Sequence, residues 1–340
     1  GGRLVDVTGA KMAEVKRIKQ AILARRDEVE VPIPLPSADL PGTVNLFGVT
    51  FSSNRELPGS AAGPSAALPR GARAGMLGTP PKITYNGLTK LSLGTPIDGV
   101  VNALHLTRYY GVTSAQMQVL RGIAAEPGNG DDLDAFGKHF RIMRLPGEYS
   151  YDMSPLDLHQ ILTQIKTGKE AADFLIVNVH WHQNRYAFQH YSYDHFPADF
   201  ELKFAHEAID EGADMVVGEG VHTLKGVEIY KGKPIFYGVS NYVFESGLMP
   251  LPGHGASLLR ALGSHRASRP DALGIIGGHQ LQGFFQLLPN LEAEIAWARY
   301  DKGKLTEVRI YPVDLGQTYR PADRLGIPMK PTPAVAAKIL

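Results

Sequence analysis

FLIVNVHWHQNRYAFQHYSYDHFPADF, residues 174–200, opens as a buried strand and ends among four histidines and a crowd of aromatic residues. Phe174 to Val179 form an apolar run of strand length. The stretch that follows, ADFELKFAHEAIDEGAD, sets Phe200, Phe204, Ala208 and Ile209 on one side of a helix, with Gly212 at its end. A second buried strand, MVVG from Met215, comes next. Strand, helix and strand in that order predict a crossover unit in a mainly parallel sheet, and ligands of such sheets bind beyond the carboxyl ends of the strands. His180 and His182 stand at one such end, and Glu219 and His222 follow the other.

Outward from this unit, MSPLDLHQILTQIKTG predicts a helix capped by Ser154, with Pro155 in its first turn and Gly168 at its stop. VTGAKMAEVKRIKQAI, residues 7–22, spaces Met12, Val15, Ile18 and Ile22 as an amphipathic helix behind Thr8. A similar pattern, VTSAQMQVLRGI, recurs at 112–123. GVEIYKGKPIFYGVSNYVF reads as two short strands around a Lys-Gly-Lys turn, and EIAWARYDKGKLTEVRIYPVDL as a long hairpin around Asp301 to Gly303. Residues 52–75 and 248–274, rich in Gly, Pro, Ser and Ala, read as long loops.

Thirty-five basic against 34 acidic residues leave a formal charge of +1, with no long basic run to supply phosphate-backbone affinity. Nucleic acid is therefore not the expected partner. No apolar run approaches the roughly 18–20 residues of a membrane helix, so no membrane span is expected. The N-terminal GGRLVDVTGAKMAEV lacks the apolar core of a signal peptide. With no cysteine, disulfides, thiolate nucleophiles and cysteine metal sites are excluded, while cytoplasm and periplasm both stay open.

Three segments, ADFLIVNVHWH, AHEAIDEGADMVVGEGVH and GVEIYKGKPIFYGVSNYVF, resemble the CapA family of capsule and poly-γ-glutamate synthesis proteins, and GKLTEVRIYPVDLG looks like that family's closing strands. The resemblance implies an α/β fold similar to calcineurin-like metallophosphatases, a layered sandwich with mixed β-sheets flanked by helices. It also implies a single CapA-like domain over 1–340, whole or as a portion of a longer protein. Two departures limit the implied metal site. The family's early Gly-Asp and Asn-His motifs are not visible, and Glu219 stands where its Gly-His-x-x-His sequence has the first histidine; Ser240-Asn241 replaces Gly-Asn. At most one weakly held divalent ion (Zn, Mn or Fe) is expected, with His180, Glu219 and His222 as ligands, or no cofactor.

His180 and His182, two apart in extended backbone, project to the same side. Imidazole is both the commonest metal ligand and the group best poised for proton transfer near neutral pH. The four residues His180, His182, Glu219 and His222 are the expected catalytic set. Asn241 and the aromatic loop, with Tyr186, His190, Tyr191, Tyr193 and His195, are the expected substrate contacts, a mixture suited to a small-molecule or peptide-like ligand. Three functions remain open: hydrolysis of a phosphoester or amide bond with or without one metal; metal-independent acid/base chemistry of a lyase or epimerase; and non-catalytic binding or assembly of an anionic envelope polymer.

Overall fold

A computed structural model describes residues 3–28, 39, 43–47, 49–53, 103–186, 195–243, 288–317 and 326–340. Both expected long loops fall outside these residues, apart from 52 and 53. The chain divides into two units, 1–30 with 35–150, and 31–34 with 151–340.

In the first unit, β1 (Arg3–Asp6), α1 (Gly9–Glu28), β2 (Thr43–Leu46) and β3 (Val49–Ser52) give a three-stranded sheet in the order β1-β3-β2, with β1 parallel and β2 antiparallel to β3. Met12, Val15, Ile18 and Ile22 are all buried, as their spacing predicts. The helix runs past residue 22 because LARRDE contains no Gly or Pro to end it. β4 (Leu106–Val112), α2 (Ser114–Ala124), β5 (Asp132–Ala135), β6 (Lys138–Ile142) and β7 (Tyr149–Met153) form a second mixed sheet, ordered β5-β6-β4-β7. Thr113 and Gln116 close a reciprocal capping box at α2. The two similar sequence segments are thus both helices entered through a Val-Thr pair. Phe47 packs against Tyr110 and Phe140 at ring distances of 4.9 and 5.5 Å, within a core that includes Val15, Val44, Phe51, Val112 and Leu120.

The second unit holds α3 (Pro155–Glu170), β8 (Ile176–Trp181), α4 (Asp199–Asp210), β9 (Met215–Gly220), β10 (Val227–Tyr230) and β11 (Lys233–Phe236). Ser154 caps α3 by accepting from Asp157 N–H, but the helix passes Gly168 and ends two residues later, since that glycine lies within a continuing helical turn. The sheet order is β10-β11-β9-β8, with β8, β9 and β11 parallel and β10 antiparallel. The β8–α4–β9 crossover is the expected one. Its apolar run is nevertheless not buried on both faces. β8 is an edge strand among the described residues, so Ile176 is 52% exposed, while Trp181, on the opposite face, is buried against Phe200 and Phe204 of α4. The indole N–H donates to the Tyr237 carbonyl at 2.9 Å. Gly218 makes this possible: a Cβ there would lie 2.4 Å from that carbonyl oxygen and 2.5 Å from the indole nitrogen.

β12 (Glu292–Asp301) and β13 (Lys304–Asp314) form the long hairpin, turning through Lys302 and Gly303 at positive φ, and a short helix, α5 (Pro333–Ile339), closes the chain. Among the described residues no helix is long and apolar enough to cross a membrane. In β12, Glu294 has a buried carboxyl oxygen with no hydrogen-bond partner among the described residues, and burial pushes its pKa up from 4.5 to about 7. The folded chain therefore keeps a proton there that the unfolded chain has released, and stability falls as pH rises from 4.5 through 7. Glu294→Gln is expected to stabilise the protein by about 1–2 kcal/mol at pH 8 and by little at pH 4. Denaturant midpoints at the two pH values check this; equal gains at both would show that the carboxyl is not titrating as described.

Candidate functional site

β8 and β9 pair in parallel with His180 opposite Glu219. Residues directly opposite on neighbouring strands share a face, and Glu219 Oε1 accordingly lies 3.5 Å from His180 Nδ1. The other ring nitrogen of His180, Nε2, is 3.0 Å from His182 Nε2. Two imidazole nitrogens at that distance share one hydrogen, one ring donating and the other accepting. The His182 ring in turn stands 5.7 Å from that of His222, centre to centre. His222 Nδ1 meets Asn241 Oδ1 at 2.8 Å. Because the Asn241 amide group points at the Asn290 carbonyl at 3.4 Å, its oxygen accepts, so His222 carries its hydrogen on Nδ1 and keeps the lone pair on Nε2.

The result is a row of neighbouring groups, Glu219, His180, His182, His222 and Asn241, across the carboxyl ends of the strands. His180 is half exposed, with 54% of its side chain open to solvent, and His182 is more enclosed. Burial, then the neighbouring His180, His222 and Lys225, hold the His182 imidazole below its ordinary value of 6.5. It is therefore neutral at pH 7 and able to accept a proton.

The backbone around the line is fixed by polar contacts. Ser240 adopts a left-handed φ of 57°, where the family's motif has glycine, and its hydroxyl lies 3.2 Å from the His222 carbonyl and 2.7 Å from that of Glu292. These contacts offset the roughly 1–2 kcal/mol that such a backbone costs a residue with a Cβ. Lys225 Nζ contacts the Gln183 carbonyl at 3.2 Å and both Glu201 oxygens at 2.8 and 2.7 Å, and Glu201 also accepts from Ala198 N–H at the start of α4. Lys225 thus joins the turn after His182 to the helix that carries the crossover. Nothing in the sequence marked this pair except the position of Glu201, three residues into a helix start, where a carboxylate commonly caps.

The aromatic loop is held at both ends. Tyr151 Oη donates to the Asn184 carbonyl at 2.8 Å, and His195 Nδ1 donates to the Leu224 carbonyl at 2.8 Å. Tyr186 is buried, its ring edge-on to Phe196, so its body serves packing at the loop base. His190, Tyr191 and Tyr193 lie outside the described residues.

Among the described residues, no group of three or more histidine or carboxylate side chains is set to hold a metal ion. The donors that meet most closely are His180 and His182. Their 3.0 Å separation is close to the roughly 3.3 Å between two nitrogens on one tetrahedral ion. Glu219 faces the opposite nitrogen of His180, the position from which a carboxylate orients a ligating imidazole, and His222 stands beside His182. This donor set fits one ion held by two protein ligands, with Glu219 and Asn241 orienting rings.

Comparison with known proteins agrees with this framework. Residues 105–246 match the family model described as bacterial capsule synthesis protein PGA_cap. An uncharacterized protein of Sinorhizobium fredii, y4sH, is 32% identical over 246 residues, 67% of this chain and 50% of that one. The PGA biosynthesis protein CapA of Bacillus subtilis is 34% identical over 115 residues, 34% of this chain and 27% of that protein. A probable polyglutamine synthesis accessory protein of Mycobacterium tuberculosis is 39% identical over 83 residues, 24% of this chain and 20% of its own. The chain spans about half the length of y4sH and less of the other two. The matched stretch carries β8, β9 and every residue of the line from His180 to Asn241, and through it this chain belongs to the CapA family of bacterial capsule synthesis proteins, whose fold is metallophosphatase-like.

Proposed function

We propose that the chain is a hydrolytic CapA-family protein that cleaves a phosphoester or amide bond at the His182 and His222 rings. The observation that carries this reading is the line of groups from Glu219 to Asn241, in which each outer member orients the imidazole beside it. His182, enclosed and held neutral, removes the proton from the attacking water. Glu219 favours the hydrogen of His180 on Nδ1, which leaves Nε2 to accept from His182. His222, its Nδ1 hydrogen held by Asn241, presents Nε2 for the proton that travels on to the leaving group. A divalent ion held by His180 and His182 would take the place of the hydrogen shared between their Nε2 atoms and would supply Lewis-acid polarisation of the bond to be cleaved. The names of the relatives, capsule and PGA biosynthesis, suggest envelope polymer production as the setting.

Because two imidazole nitrogens, and no third donor among the described residues, converge, metal-free acid/base chemistry is the second reading. One experiment tests both: turnover of 4-nitrophenyl phosphate and of acyl 4-nitroanilides by purified protein, with metal content measured, then after chelation and after addition of Zn, Mn or Fe. We expect cleavage of one substrate class, a rate that rises with pH through a midpoint below 6.5, and no more than one ion per chain. Rates unaffected by complete chelation favour the metal-free reading. Absence of turnover under every condition, in protein shown to be folded, overturns hydrolysis and returns the chain to polymer binding or assembly.

A further inference from the structure

His182 and His222 both lie past the end of the sheet. The pairing of β8 with β9 stops at Trp181 opposite Gly220, so His182 stands one residue and His222 two residues beyond the last paired positions. Strand register fixes His180 against Glu219, but it does not fix the 5.7 Å between the His182 and His222 rings. That spacing needs a contact of its own.

Lys225 makes a contact that spans the two segments. It follows His222 by three residues, and its ammonium reaches the carbonyl of Gln183, the residue after His182, at 3.2 Å. The Gln183 side chain passes the hold on to His182, its Oε1 accepting from the His182 N–H at 3.0 Å. The remaining ammonium hydrogens meet Glu201 Oε1 and Oε2 at 2.8 and 2.7 Å, so all three donors of the lysine are used. Glu201 is anchored at the start of α4, where it accepts from Ala198 N–H. At the other end of the lysine, its backbone N–H donates to the Gly238 carbonyl at 3.0 Å, and Leu224 is bridged to Val239, which ties the His222 segment to the chain leaving β11. Gly238 leaves room for the lysine stem, since a Cβ there would lie 3.1 and 3.2 Å from Lys225 Cγ and Cβ.

Both side chains of this ion pair are fully enclosed. A buried ion pair is often no more stabilising than apolar side chains of the same shape, because desolvation offsets the Coulombic gain. Apolar side chains would lack direction, which here means three hydrogens aimed at three fixed oxygens. We propose that Lys225, with Glu201 as its anchor, is a positioning residue that sets the separation of the His182 and His222 rings by gripping the Gln183 carbonyl. Its effect on turnover rests on the reading of those two rings as the groups that move protons; its effect on their spacing does not.

Lys225→Met alone leaves Glu201 buried without its cation, so that variant reports on stability as much as on position. The double variant Lys225→Met with Glu201→Gln removes both charges together and separates the two effects. The spacing is read by the nuclear Overhauser cross-peak between the His182 and His222 ring hydrogens, in full-length deuterated protein with protonated histidine. His182→Gln and His222→Gln identify the peak by its loss. We expect the cross-peak in the parent, and its loss or reduction by more than half in the double variant, with a denaturant midpoint close to that of the parent. Lys231→Met with Asp210→Asn, at an exposed ion pair that also involves α4, should leave the peak unchanged. Where the parent turns over a 4-nitrophenyl phosphate or acyl 4-nitroanilide, the double variant should lose about 10- to 100-fold in kcat with little change in KM. An undiminished cross-peak in the folded double variant, or no cross-peak in the parent, overturns the proposal. The outcomes separate from those of hydrolysis: a parent without turnover sinks the hydrolytic reading and leaves the positioning result standing. A cross-peak lost with kcat unchanged sinks the assignment of the reaction to these two rings.

Discussion

Lys225→Met is expected to destabilise the protein by about 3–5 kcal/mol, the cost of leaving a buried charge without its partner. Both side chains of the Lys225–Glu201 pair are fully enclosed, and the ammonium contacts both carboxylate oxygens. After the substitution Glu201 keeps the Ala198 N–H but loses the cation that makes its ionised form tolerable. The double variant Lys225→Met with Glu201→Gln, which removes both charges, should recover most of the loss. Chemical denaturation of the three proteins measures the difference. A single variant within about 1 kcal/mol of the parent, the range of exposed ion pairs, would mean that water reaches the pair and that it does not brace the His182 turn.

His182→Ala is expected to lower turnover by about 10²- to 10⁴-fold, the usual contribution of a positioned proton-transfer group, with little change in stability. His182 is the member of the line that touches both other imidazole neighbours, so its removal separates Glu219 and His180 from His222 and Asn241. Glu219→Gln keeps the shape but removes the charge that orients His180, and should cost less. Once a substrate is in hand, steady-state rates of the two variants rank them. Equal rates for parent and His182→Ala would exclude this residue as the base.

The crossover at the centre of the fold was legible because its signals are local. The buried face of α4 follows directly from spacing, and its end was read at Gly212, which the structure places at a positive φ that glycine tolerates. The Lys-Gly turns at 231–232 and 302–303 likewise announce their hairpins. The exposure of Ile176 was not legible, because a run of apolar residues has the same composition in a central strand and in an edge strand, and only the partner list distinguishes them. The approach of His180 to His182 could be read from a spacing of two. That Glu219 would face the far nitrogen of His180 could not, since it depends on the register of β8 against β9. Lys225 was missed for a similar reason: its partner is 24 positions away in the sequence, and nothing near a lone lysine tells whether it will be enclosed.

Gly220 makes the site depend on an atom that is not there. It has a φ of 87°, and the His180 ring occupies the space where a side chain would begin, with ring atoms 2.7 Å from the position of a Cβ. In any relative that carries another residue at this point, the imidazole equivalent to His180 must turn away from the place it holds here, even if all four polar residues are retained. Position 220 is then a sequence marker that sorts the family by the geometry of its histidines, and one that an inventory of histidines and carboxylates would pass over.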